Sequence, residues 1–299
     1  MHVFLTGGSG YVGSSVLEAF VRGGHVVDAL VRNTEKAAQV QALGGRSVLG
    51  DLAAPASYAG LAAAAEAIVH TAIDYSPRGP QLDAILLDTV LPAMSGSGRV
   101  LIYTSGIWSL GPTSTPADET APVRPAEISA WRAPHEQRVL DAATAGIRSI
   151  VVRPGIVYGG WRGIVGDLFK DAANGLVRVM GTGENHWPLV YDGDLADLYV
   201  RLATRTDASG IYHANDEGDE RVNEIVAAIA AQAPTVPSIR HVPIAEARQK
   251  MGPYADALAL DQIVRSPRAR ALGWNPSLHS VAGNAARLFE EWRRGRDAA

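Results

Sequence analysis

The chain has 299 residues, 47% apolar and 19% charged, which fits one large globular domain or two small ones. Its formal net charge of −4 leaves no broad basic field, so nucleic acid and anionic membrane surfaces are set aside as main partners. With no cysteine there are no disulfides and no thiolate metal sites, and nothing in the His, Asp and Glu spacing suggests another metal.

The opening run HVFLT (2–6) is cut off at once by GGSG. It is too short for a signal-peptide core or a membrane span, so it reads as a buried strand of a cytoplasmic protein. Further strands are expected in HVVDALV (25–31), RSVLG (46–50), AIVHTA (67–72), RVLIYTS (99–105) and RSIVVRP (148–154). Between them, residues 11–24, 34–45, 57–66, 81–94 and 128–140 carry apolar positions at three- and four-residue intervals, the period of a helix. Such alternation predicts an α/β fold, a doubly wound parallel sheet with helices on both faces.

After residue 158 the rhythm changes to helices at 161–175, 193–205, 221–233, 244–251 and 278–294, mixed with short strands such as HWPLVY (186–191). Residues 1–158 and 190–213 are read as the Rossmann-type domain. Residues 159–189 and 214–299 are read as a smaller substrate lobe over the carboxyl edge of the sheet, where ligands bind in such folds.

LTGGSGYVGSS follows the first strand and opens the first helix. Gly7, Gly10 and Gly13 allow the tight turn, let amides approach a pyrophosphate, and let strand and helix pack closely. The helix amino end adds a dipole that favours the anion.

Several stretches in order resemble the extended or atypical short-chain dehydrogenase/reductases, the branch related to NAD-dependent epimerases and dehydratases. They are TGGSGYVG (6–13), GDL (50–52), HTA (70–72), YTSG (103–106), RPGIVYG (153–159), VYDGDLA (190–196) and ALGWNP (271–276). The resemblance implies a nicotinamide dinucleotide held by Gly7, Gly10, Tyr11, Val12, Gly13, Asp51, Leu52, Thr71, Ala72, Thr104, Pro154, Gly155 and Val157. It also implies dimerisation through helices of the large domain.

A carboxylate at the end of the second strand would bind a ribose 2′-hydroxyl, whereas a cation there would bind a 2′-phosphate. The family's acid falls on Val31, followed by Arg32, which favours NADP(H) over NAD(H). Asp28 is a rival acid, but it sits inside the strand.

The family's Tyr and Lys fall on Trp131 and His135, and its Ser on Gly106 or, shifted by one, Ser105. Indole cannot exchange a proton near neutral pH. His135 is therefore the candidate to hold the ribose or relay a proton, with Ser105 and Tyr158 as further catalytic candidates. Trp108, Trp131, Trp161, Trp187 and Tyr158 are expected to line an apolar pocket. The reading is an NADP(H)-dependent oxidoreductase of a small hydrophobic or aromatic carbonyl, imine or alcohol. Its alternatives are an NADP(H)-sensing protein without turnover, and an epimerase, dehydratase or isomerase that uses the cofactor transiently.

Overall fold

The structure, a computed structural model, describes residues 1–113 and 115–297. The chain forms two compact units. One comprises Met1–Ser105, Trp131–Arg153 and Leu195–Tyr212, and the other Gly106–Ala130, Pro154–Asp194 and the chain from His213 onward.

The first unit is built on strands β1 (His2–Thr6), β2 (Val26–Val31), β3 (Arg46–Leu49), β4 (Ala67–His70), β5 (Val100–Thr104) and β6 (Arg148–Pro154). With the strand Gly210–Ala214 at one edge, the sheet order is Gly210–Ala214, β6, β5, β4, β1, β2, β3. The pairs among β1–β6 are all parallel. The strand order reverses between β1 and β4, and the crevice outside the carboxyl ends at such a switch point is the usual ligand site of this architecture.

Helices α1 (Tyr11–Arg22), α2 (Thr34–Ala42), α3 (Ala59–Ala64), α4 (Gly79–Met94) and α5 (Arg132–Asp141) connect these strands. α4 buries Leu82, Asp83, Leu86, Leu87, Val90 and Met94, one helical stripe with a carboxylate in it. Leu86, Leu87 and Val90 meet Phe4, Ile68, Leu101, Tyr103 and Val151 of the sheet and Val139 of α5. α1 stops at Gly23, and Gly24, at φ +76°, turns the chain back in the left-handed region that glycine adopts without cost.

In the second unit the strand Ile156–Tyr158 pairs with Leu189–Tyr191, Leu176–Met180 with Ser238–Val242, and His186–Trp187 with Glu220–Arg221. The single strand expected over 186–191 is broken at Pro188, which has no N–H for a ladder, while its carbonyl accepts the Ile156 N–H. Helices Gly163–Ala173, Val222–Ala230 and Ala285–Asp297 pack around Phe169, Trp187, Ile225, Leu288 and Trp292.

Several boundaries differ from those expected; residues 154–158 and 190–194, expected in the Rossmann-type domain, fall in the second unit. Residues 106–130 lie in the second unit, because Thr113 and Ala117 donate to the Asp261 and Ile263 carbonyls, and Gln262 donates to those of Ile107 and Gly111. The last helix begins at Ala285, not 278. The buried Glu220 carboxylate draws the Ser280 hydroxyl and the Val281 and Ala282 N–H groups into a turn before it. Among the described residues, no helix is long and apolar enough to cross a membrane.

Candidate dinucleotide-binding site

The loop after β1 is a cradle with no room for side chains. Gly7 has φ +79°, and a Cβ there would stand 2.6 Å from the Ala72 nitrogen. A Cβ at Gly13 would stand 2.0 Å from the Gly7 carbonyl oxygen and 2.7 Å from Thr71 Oγ1. Gly10 caps α1 without a side-chain bond and donates its N–H to the Gly7 carbonyl. The amino end of α1 thus carries no side-chain cap from Gly10 and stands at the switch point of the sheet, where a pyrophosphate would meet it. This crowding of bare backbone fits a dinucleotide.

At the far end of the cradle, Val31 closes β2 as a buried apolar residue, and Arg32 follows it, exposed. The charges of Arg32 and Arg78 reach Asp74, whose carboxyl is held below its ordinary value, first by hydrogen bonds from Ser76. Asp28 is spoken for: buried in mid-strand, its carboxylate lies 2.7 Å from His2 Nε2. After β3, the Asp51 carboxylate accepts the Ala53 N–H, which shapes the turn that presents Leu52.

Helix α5 opens with the two residues singled out from the sequence. The Trp131 and His135 rings meet edge to face, centroids 5.6 Å apart, and the Arg132 guanidinium lies 4.5 Å from the indole centroid. Both aromatic residues are half-buried. His135 Nδ1 is 2.8 Å from the Trp131 carbonyl and Nε2 is 3.1 Å from that of Pro80. A neutral imidazole has one N–H and can donate to only one of these oxygens, yet both nitrogens face a carbonyl. Arg132 is buried and donates to the Thr104 carbonyl. The neighbouring Ser105 hydroxyl is buried without a hydrogen-bond partner among the described residues.

Residues 3–214 match the model of the NAD dependent epimerase/dehydratase family. The chain belongs to that family. It is therefore an extended short-chain dehydrogenase/reductase, an enzyme whose cofactor is a nicotinamide dinucleotide. An uncharacterized protein of Schizosaccharomyces pombe is 31% identical over 289 residues, covering 94% of this chain and 96% of the relative. The 2-alkyl-3-oxoalkanoate reductase of Stenotrophomonas maltophilia is 29% identical, covering 77% of this chain and 76% of that protein. A UDP-glucose 4-epimerase of Thermus thermophilus, solved with NAD, superposes with a TM-score of 0.79 at 20% identity, over 98% of this chain and 99% of that one.

Gly106 has an extended backbone, and nothing lies within 4 Å of where its Cβ would stand, so a serine would fit there. Trp131 and His135 likewise stand on an ordinary helix start, with Pro134 tolerated in its first turn.

Two expected pocket residues are instead core, and the expectation is corrected for both. Trp187 is buried among Phe169, Ile225 and Leu288, and its Nε1 donates to the Leu258 carbonyl. Tyr158 is fully buried, and its hydroxyl donates to Asp216 Oδ2 at 3.0 Å. Burial, then the charge of Asp216, pushes that hydroxyl far above the usual tyrosine range, which removes it as a proton donor near neutral pH. Of the others, Trp161 leans on the last helix at Gly295, and Trp108 stands edge to face with Tyr254. Gly155 fits because a Cβ would strike the Pro188 carbonyl; Pro154 beside it is buried and Val157 half-buried.

Asp216 leads to the first prediction. Burial raises its carboxyl to about 7, against the opposing Gly218 N–H and Tyr158 O–H. The folded state thus holds this proton more tightly than the unfolded chain does. The stability it contributes is fully present below about pH 4 and is lost as pH rises to about 7. Asp216→Asn, which carries no such proton, should flatten that slope and raise the melting temperature above the wild type's at pH 8. Parallel melting curves for both proteins from pH 5 to 8 would exclude the assignment.

Sequence reasoning missed three buried polar groups: His70 with Asp83, Glu136 with Arg153, and Asp216. A carboxylate in the apolar stripe of α4 was the one signal available for Asp83.

Proposed function

We propose that this enzyme is an NADP(H)-dependent oxidoreductase acting on a small apolar or aromatic carbonyl, imine or alcohol. The observation that carries the cofactor choice is the end of β2, where the family's acidic place is a buried valine and the next residue is an exposed arginine. A guanidinium there would pair with a 2′-phosphate, and the strand acid Asp28 is occupied by His2. The name of the Stenotrophomonas relative, a reductase of alkylated oxoalkanoates, supports carbonyl reduction on an apolar substrate.

When bound, the nicotinamide dinucleotide supplies hydride transfer. The cradle Gly7, Gly10 and Gly13 would hold its phosphates, with Asp51 and Leu52 at the adenine end and Thr71, Ala72 and Thr104 along the sheet edge. Trp131 cannot replace the family's tyrosine as acid. Proton transfer then falls to His135, whose ring nitrogens face the Trp131 and Pro80 carbonyls, while the Ser105 hydroxyl, without a partner among the described residues, orients the substrate oxygen.

Two measurements test this. Loss of reduced-nicotinamide absorbance across a carbonyl panel should exceed the blank with NADPH, and His135→Ala should cut that turnover. Substrate interconversion without net cofactor oxidation would favour the epimerase-type reading instead. Arg32→Gln should weaken NADPH by about 10- to 100-fold and NADH by less than about twofold, the loss of one charge-assisted contact. Equal losses for both cofactors would overturn the NADP(H) preference.

A further inference from the structure

Beneath the glycine cradle lies a chain of buried polar side chains that do not face the surface. His70, the last residue of β4, places Nδ1 2.6 Å from Thr6 Oγ1, the last residue of β1. Its other nitrogen, Nε2, lies 3.3 Å from Asp83 Oδ1 on α4, within ion-pair reach though too poorly aligned for a hydrogen bond. The second oxygen of Asp83 accepts the Tyr103 hydroxyl of β5 at 2.7 Å, and the Tyr103 ring stacks on His70 with centroids 5.5 Å apart. Thr6, His70, Asp83 and Tyr103 are each at most 2% exposed.

The upper end of this chain is fastened to the cradle. Thr71 donates both its N–H and its hydroxyl to the Thr6 carbonyl, and the same hydroxyl oxygen bounds the space at Gly13. Thr6 is therefore held at its side chain and at its carbonyl immediately before Gly7, where the backbone turns into positive φ. Burial of a carboxylate costs several kcal/mol unless it is paired and hydrogen-bonded. Burial does push the Asp83 carboxyl up, but the charge of His70 and the hydrogen bonds outweigh it and hold the group below its ordinary value.

We propose that Asp83 is a positioning residue for the dinucleotide: acting through His70 and Thr6, it fixes the direction in which the chain leaves β1 and so the shape of the cradle, without touching the cofactor. This rests on the dinucleotide reading above. Because Tyr103 bonds the same carboxylate from outside the relay to Thr6, the two arms of the network can be separated by mutation.

The experiment is a comparison of NADPH dissociation constants, measured calorimetrically well below the melting temperature, for wild type, Asp83→Asn, Thr6→Val and Tyr103→Phe. Asp83→Asn, which removes the charge facing His70 Nε2, should raise the constant by about tenfold. Thr6→Val, which cuts the relay at its other end without disturbing a charge, should do the same if Asp83→Asn folds poorly. Tyr103→Phe should lower the melting temperature yet leave the constant within about twofold, since the relay survives. Asp83→Asn and Thr6→Val proteins that melt earlier but bind as tightly as wild type would overturn the inference and make the network a stability element alone. Absence of binding by the wild type would overturn the cofactor reading and this inference with it.

Discussion

Gly13→Ala is expected to abolish useful dinucleotide affinity, raising the dissociation constant by about a hundredfold, although alanine is the better helix former. Gly13 lies in α1 with ordinary helical backbone, so the local exchange should gain up to about 1 kcal/mol. The obstacle is the cradle. The new Cβ would stand 2.0 Å from the Gly7 carbonyl oxygen and 2.6 Å from its carbon, both backbone atoms that cannot rotate aside. Gly7 in turn is backed by the Ala72 backbone, so relief requires opening the loop that would hold the pyrophosphate. Gly60→Ala is the control: it lies in helix α3 with nothing within 4 Å, and it should stabilise by up to about 1 kcal/mol without changing affinity. Calorimetric titration and melting curves of the two variants separate the effects. A Gly13→Ala protein that binds NADPH like the wild type would mean that the cradle is not the phosphate site.

Arg153→Met should destabilise the fold by about 3–5 kcal/mol, a fall of roughly 10 °C in melting temperature. Arg153 of β6 and Glu136 of α5 are both nearly inaccessible, with Nε 3.1–3.2 Å from the two carboxylate oxygens and Nη2 2.5 Å from one of them. Removing the guanidinium leaves the Glu136 charge buried and uncompensated, which costs more than the pair contributes. The third guanidinium nitrogen, Nη1, already lacks a partner among the described residues, so the intact pair is itself imperfectly satisfied. Arg153→Met combined with Glu136→Leu should therefore recover most of the loss, as charge-free pairs of similar volume do. A double variant as unstable as the single would show that the effect is packing, not charge. Since Glu136 follows His135 directly, the single variant should also loosen the helix start that carries Trp131 and His135, and reduce turnover more than the double.

The regular part of the fold was legible because its signal is local. Six strands and the helices between them announce themselves by period, and strand, glycine loop and helix follow one another without a gap in residues 2–22. Two five-residue helices, Tyr254–Leu258 and Pro267–Ala271, are too short to show a period and passed unnoticed. In the candidate site, the cradle glycines and the unusual Trp131 and His135 are sequence features, since each is defined by its place in a motif.

What the tertiary structure alone decided is which partners cover each group. Tyr158 and Trp187 sit on short strands whose two faces look alike in sequence. They became core because Asp216 and the Leu258 carbonyl, 58 and 71 residues further along, meet their polar atoms. Arg132, Glu136, Arg153, His70 and Asp83 are each buried because a partner from another strand or helix closes over it. A one-dimensional pattern records which residues are apolar and at what spacing. Whether a polar group is buried depends on a second group arriving from far along the chain, and no local period encodes that arrival.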